Sequence, residues 1–252
     1  MKSLTSFVET SKFIFRHNVK KAISEISPSL YRMIHEKMVP GESQFVSHDT
    51  DLVIEGFPGS ANSFVYKIVQ LKNNYAISIA THIHYPAQIY LAAEFKKPIL
   101  LLIRLPRDAV VSYVAKQIIW GRRFGKFLEL DGGDVVRRLK SGVRYYSYYY
   151  KRMLTLSEED VFFASFDSVI EDLPKVLRAF NDRYELDLNV SPLSKAEKSR
   201  DFEGSKYDSQ IHSERTAVRK QIINYYNENI LSGTYDEICN DIYNEIVSNY
   251  IS

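Results

Sequence analysis

Apolar and polar positions in the middle of the chain come in short, alternating blocks. Asp51 to Gly56 (DLVIEG) is an apolar run that stops at a small-residue turn, and Ser63 to Leu71 behind it has helical spacing. Tyr75 to Thr81 (YAISIAT) is a second strand-like run, followed by a helix opening at Pro86. Pro98 to Arg104 (PILLLIR) is apolar almost throughout, as strands covered on both faces are, and another helix begins near Pro106. Val161 to Phe166 (VFFASF) gives a fourth strand and Ser168 to Arg183 the helix after it. This β-α-β-α-β order predicts an α/β fold, a parallel sheet flanked by helices, with ligands at the carboxyl ends of the strands.

Both ends of the chain are helical in pattern. In the N-terminal part, residues 1–48, Ser27-Pro28 caps a segment Ser29 to Met38 that ends at Pro40-Gly41. Ser213 to Leu231 and Tyr235 to Tyr250 form two C-terminal helices. Val135 to Leu156 reads as a long helix whose tyrosines (Tyr145, Tyr146, Tyr148, Tyr149, Tyr150) pack aromatic bulk on the sheet. No repeat or flexible linker divides the chain. One domain is expected over residues 1–252, with its α/β core at 50–183 and C-terminal helices at 213–250.

Composition narrows the function classes. The 252 residues are 45% hydrophobic, enough for a sizeable core. Basic residues number 33 against 31 acidic, a net charge of +2, which gives no support to a nucleic-acid coat or a polybasic membrane binder. Any basic chemistry must be local. The single cysteine, Cys239, excludes an internal disulfide and a Cys-based zinc site. No run approaches the roughly 18 apolar residues of a membrane span. Charges at Lys2, Glu9, Lys12, Arg16, Lys20 and Lys21 interrupt what would be a signal-peptide core. A cytoplasmic protein is expected, with no membrane span and no nucleic-acid partner.

After the first strand comes Gly56-Phe57-Pro58-Gly59-Ser60-Ala61-Asn62-Ser63-Phe64. A strand that runs through a small-residue turn into a helix brings backbone N–H groups together at a positive helix end, a geometry that cradles phosphate. On the Walker A pattern it matches at Gly56 and Ser63, but Ala61 and Asn62 stand where Gly and Lys belong. The missing lysine argues against a magnesium-dependent kinase or NTPase. A ligand-free turn is the plain structural alternative.

The third strand ends in Arg104-Leu105-Pro106-Arg107-Asp108-Ala109-Val110-Val111-Ser112. Arg104 sits where a strand delivers side chains to the ligand crevice. Pro106 starts a helix, and Ser112 lies two turns in. The guanidinium offers a bidentate fork for phosphate oxygens and the serine a further donor.

Together and in this order, the two motifs resemble the PAPS-dependent sulfotransferases, whose donor is 3′-phosphoadenosine-5′-phosphosulfate. The resemblance covers roughly residues 50 to 183. It implies a P-loop-like sulfotransferase architecture in which the first loop, here Pro58, Gly59, Ser60, Ala61, Asn62, Ser63 and Phe64, holds the 5′-phosphosulfate. The Arg-x-Pro-[Arg/Lys]-Asp-x-x-x-Ser segment, matched at Arg104, Pro106, Arg107, Asp108 and Ser112, is implied to hold the 3′-phosphate, with Asp108 a helix-start residue. The family's loop usually carries Lys or Arg where this chain has Gly59. Lys67, Arg122, Arg123 and Lys126 are candidates to supply that cation. A basic segment near the C-terminus often adds a 3′-phosphate contact, and Arg215 and Arg219 are the candidates for it, although the usual Arg-Lys-Gly form is absent.

Between the motifs lies Thr81-His82-Ile83-His84-Tyr85-Pro86. Sulfuryl transfer to a hydroxyl or amine needs a group to take the acceptor's proton, and histidine suits that task near neutral pH. The family's Lys-Thr-His-x-Pro spacing falls on His84, the first choice for the base. His82, two residues back in an extended strand, points to the same side and is the second. No Asp, Glu or Cys lies near at ligand spacing, so no metal is expected. His17, His35 and His48 are read as structural or surface.

Trp120 to Lys126, leading to Gly132-Gly133, reads as a mobile basic segment. The function the resemblance implies is transfer of a sulfuryl group from PAPS to a small-molecule or carbohydrate acceptor, releasing adenosine 3′,5′-bisphosphate (PAP). The rivals are a degenerate P-loop kinase or NTPase and a non-catalytic PAPS- or PAP-binding protein.

Overall fold

A computed structural model describes residues 2–38, 45–123, 131–192, 194 and 206–251. Pro40-Gly41 and Lys126 lie outside them. Four strands, β1 (Leu52–Gly56), β2 (Ile79–Thr81), β3 (Ile99–Ile103) and β4 (Phe162–Ser165), form one sheet in the order β2-β1-β3-β4, with every neighbouring pair parallel. The fold is α/β, a parallel sheet flanked by helices.

Strand residues alternate between two apolar layers, as a two-sided sheet requires. Val53, Ala80, Ile99, Leu101, Ile103 and Phe163 belong to one core; Leu52, Ile54, Leu100, Leu102 and Ala164 belong to the other. Two helices cover the second face: α3 (Asn62–Lys72) through Val65, Ile68 and Val69, and α7 (Phe166–Tyr184) through Val169, Leu173, Leu177 and Phe180. The helix α7 kinks at Asp172, two residues before Pro174, and the Asp172 carboxylate accepts from Lys175 N–H to restart it. The first face is covered by α4 (Pro86–Glu94), α5 (Pro106–Arg123), α6 (Gly132–Met153), α8 (Lys206–Asn229) and α9 (Thr234–Tyr250). The N-terminal helices α1 (Lys2–Ile26) and α2 (Pro28–Met38) pack on each other and on α4, and α1 reaches α6. Ser27 Oγ accepts from Leu30 N–H at 3.2 Å, the cap that starts α2.

Two elements differ from the pattern-based expectation. The second strand is only Ile79–Thr81, because Asn74 and Tyr75 adopt φ of 54° and 57° and turn the chain after α3. Of the segment Trp120 to Lys126, residues 120–123 form the last turn of α5, and 124–126 lie outside the described residues.

The tyrosines of α6 do more than fill space. Tyr150 accepts from Phe57 N–H at 3.1 Å and donates to Leu102 C=O at 2.6 Å. Tyr146 donates to Arg104 C=O at 2.7 Å, and Tyr145 donates to His84 C=O. One buried helix face thus ties down the backbone of all three strand-end loops that build the site below.

Candidate functional site

The chain leaves β1 for α3 and β2 on one side, then crosses back through α4 to β3 on the other. The carboxyl ends of β1 and β3 are therefore the topological switch point, where parallel α/β sheets open a crevice. The two strands approach closely there. A Cβ at Gly56 would lie 2.3 Å from the Leu102 carbonyl oxygen, so no larger residue fits.

The loop after β1 turns through Gly59 at φ +98° and Ala61 at φ +76°. Ala61 thus adopts the left-handed backbone for which a Walker loop uses glycine. It precedes α3, whose N-terminus has no side-chain cap; Phe64 N–H bonds back to Ala61 C=O at 2.9 Å, and the amides of Asn62 and Ser63 stand at the helix start, where no intrahelical carbonyl precedes them. Asn62, in the position of the Walker lysine, folds back and donates to Gly56 C=O at 3.1 Å.

His84 also holds that carbonyl. Its Nδ1 lies 2.9 Å from Gly56 O, and since a carbonyl only accepts, Nδ1 carries the proton and Nε2 holds the free lone pair. Glu55 lies behind the ring. This fully buried residue accepts from Ile83 N–H at 2.7 Å, and its Oε2 is 3.3 Å from His84 Nδ1. A carboxylate there orients the imidazole and stabilises the imidazolium formed when Nε2 takes a proton. Sequence spacing gave no sign of this, because 29 positions of chain separate the pair and only strand pairing brings them together. No acid stands near the histidines at ligand spacing along the chain; Glu55 reaches His84 only through the fold.

His82 and His84 are not in extended strand. Both have left-handed backbones, φ 63° and 59°, and their rings meet edge-on with centroids 5.7 Å apart. His82 turns to the β1–α3 loop instead, with Nε2 2.8 Å from Ser63 Oγ. Burial lowers its pKa to about 4, with smaller contributions from the neighbouring His84 and Lys116 charges, against a raising effect of Glu55. It stays neutral at physiological pH.

Arg104 and Ser112 meet at Gly59, and Arg215 reaches Ser112. The Arg104 guanidinium lies 3.9 Å over the Phe166 ring and donates to Gly59 C=O at 3.0 Å. Ser112, buried on α5, faces the same glycine: a Cβ on Gly59 would lie 3.1 Å from Ser112 Oγ. From α8, Arg215 donates to Ser112 Oγ. Arg219 lies one turn further along α8, partly exposed. Arg107, at the start of α5, points away and is about half exposed.

A cavity of about 410 Å³ opens beside these groups, with Pro58 and His84 in its wall. Lys116 lines it too, one turn beyond Ser112 on the same face of α5. It reaches solvent through the cavity, while surrounding protein and the Arg215 charge lower its pKa. Of the cations weighed from sequence, Lys67 is exposed on the outer side of α3 and Arg123 pairs with Glu214 at 3.7 Å. Lys116 lines the same cavity as Pro58 and His84, and its charge acts on His82. The i, i+4 step from Ser112 was the sequence signal that could have found it.

Among the described residues, no group of three or more His, Cys, Asp or Glu is placed to hold a metal ion, and no helix is long and apolar enough to cross a membrane. No protein-family model matches the chain, and no curated protein matches it significantly. Among solved structures, mouse sulfotransferase SULT7A1 complexed with PAP is similar, with 12% sequence identity and a TM-score of 0.46, over 85% of this chain and 89% of that one.

Proposed function

We propose that the chain is a sulfotransferase that moves a sulfuryl group from PAPS to a hydroxyl or amine of a small-molecule or carbohydrate acceptor and releases PAP. The observation that carries this reading is the convergence of Arg104 and Ser112 on Gly59, with Arg215 on Ser112, beside a cavity walled by His84. A donor with phosphate at both ends of its ribose needs two anion sites a few ångströms apart. The loop from Pro58 to Phe64 offers one, in backbone N–H groups at a helix start. Arg104, Ser112 and Arg215, with Arg219 in reach from the next turn, offer the other.

The residues then divide the reaction between them. His84 Nε2 takes the acceptor's proton as its oxygen or nitrogen attacks sulfur, a step typically worth roughly 10²- to 10⁴-fold in rate. Glu55 stabilises the imidazolium. The bond between sulfur and the bridging oxygen breaks, and the electron pair leaves with PAP. Lys116 and the first-turn amides of α3 stabilise the negative charge that grows on that oxygen. His82 holds Ser63 in place for the same loop.

Transfer of label from radiolabelled PAPS to a panel of phenols, alcohols and amines, in the presence of EDTA, tests the reading. Labelled product is expected. PAP binding without transfer to any acceptor would support a non-catalytic nucleotide-binding protein, and magnesium-dependent ATP hydrolysis would support the kinase-like alternative.

A further inference from the structure

The cavity beside His84 carries charge that the donor does not account for. Its walls are mostly apolar, with Phe13 from α1 and Tyr113 and Trp120 from α5. Yet four cationic side chains, Lys12, Arg16, Lys116 and Arg138, line it against one carboxylate, Glu9. Glu9 pairs with Lys12 at 3.0 Å. Arg138 is fixed by Gln117 Oε1 and Thr10 Oγ1, each at 3.0 Å, and feels the Asp134 charge. Lys116 stands on the donor side, beside Pro58 and under the field of Arg215. Arg16 is left over. It lies on the cavity face of α1, one turn after Lys12, on an N-terminal helix outside the α/β core that holds the donor site.

Resting on the transferase reading, we propose that this cavity takes an acceptor with an apolar, ring-sized body and an anionic group, and that Arg16, assisted by Lys12, reads the anion. A half-enclosed apolar space with surplus positive charge favours a ligand that brings both the apolar surface and the counter-charge. The guanidinium fork suits a carboxylate or phosphate, and the aromatic walls suit the body that carries the reacting hydroxyl. The hydroxyl then faces His84, the one acid–base group in the wall with a free ring nitrogen.

Trp120 is the chain's single tryptophan and lines the cavity, so its fluorescence reports occupancy without any turnover. The test titrates the PAP-saturated protein with three matched probes: para-butylphenol, para-hydroxyphenylbutanoate and para-aminobutylphenol. The carboxylate probe should bind about tenfold or more tighter than the neutral phenol, the scale of a hydrogen bond to a charged group, and the ammonium probe more weakly than either. High salt should shrink the difference, because Arg16 is exposed. Arg16→Gln should bring the carboxylate-to-neutral ratio of dissociation constants towards one, and Arg16→Lys should restore part of it. Equal binding of the three probes, tightest binding of the ammonium probe, no binding of any, or a ratio untouched by Arg16→Gln would each overturn the proposal. Charge-selective binding without sulfuryl transfer would leave this cavity assignment standing and remove the transferase reading. Transfer to the neutral phenol with no charge preference would do the reverse.

Discussion

The Oε2 of Glu55, a residue with no solvent exposure, lies 3.3 Å from Nδ1 of His84, across a strand end where the same nitrogen also meets Gly56 O. The pair fixes which nitrogen of His84 is free and places a carboxylate behind the ring, where it would stabilise the imidazolium of the proposed base. Glu55→Gln keeps the shape and removes the charge. It should lower kcat by roughly 10- to 100-fold, as loss of an orienting partner does, with PAP affinity nearly unchanged. His84→Ala should lower kcat by about 10² or more with the same indifference in donor binding. Steady-state kinetics with PAP calorimetry checks both, and a large loss of PAP affinity in either variant would remove His84 from the acceptor side.

His82 should behave in the opposite way. Its Nε2 holds Ser63 Oγ at 2.8 Å, so His82→Ala loosens the phosphate loop rather than the base. The Michaelis constant for PAPS should rise several-fold while kcat falls less than in His84→Ala. If His82→Ala is the dead variant and His84→Ala retains most activity, the roles of the two are exchanged.

Gly59 cannot take the lysine that the sulfotransferase loops it resembles carry. Its φ of +98° and the 3.1 Å approach to Ser112 Oγ leave neither the backbone freedom nor the space. Gly59→Lys should therefore lower the melting temperature and the PAP affinity rather than improve either. On the proposed function Lys116 supplies that charge, so Lys116→Ala should lower kcat by about 10²-fold, the scale of one lost stabilising donor, and Lys116→Arg should recover part of it. A Gly59→Lys variant with raised activity would contradict this assignment.

Histidine burial sets a pH window for stability. Burial, reinforced by the charges of Lys21 and Lys20, lowers the His17 pKa from 6.5 to about 4. Below pH 6.5 the unfolded chain binds a proton there that the folded protein refuses until about pH 4, so stability falls as pH drops through that window. The loss is on the order of 3 kcal/mol for this residue, and His82 adds to it over the same range. Urea denaturation at pH 7 and pH 5 measures it. His17→Gln should lower stability at pH 7, where its bond to the Tyr85 hydroxyl is lost, and flatten the acid dependence.

What the sequence made legible follows from which signals are local. Apolar runs bounded by turns located β1, β3 and β4, and the Pro106 start put Ser112 on the inner face of α5, because those features lie within one element. The convergence of Arg215 on Ser112 was anticipated only as a weak possibility, since 103 positions separate the two. Glu55 was hidden for a different reason. In DLVIEG it reads as the polar end of an apolar strand, and only the crossover that brings residues 82–84 beside β1 gives it a partner. The left-handed turns at His82 and His84 also escaped, as β-like spacing carries no trace of a positive φ. Residues 1–48 carry only a helical pattern in sequence, yet Phe13 and Arg16 from α1 wall the cavity.

The central claim is a site for phosphate at the 3′ position of an adenosine donor, built by Arg104, Ser112 and Arg215. Thermal melting with PAP against adenosine 5′-monophosphate at equal concentration tests it most directly, since the two differ only in that phosphate. PAP should raise the melting temperature far more, Arg104→Ala should abolish the difference, and Arg107→Ala should weaken it less. Equal shifts from the two nucleotides would contradict the account.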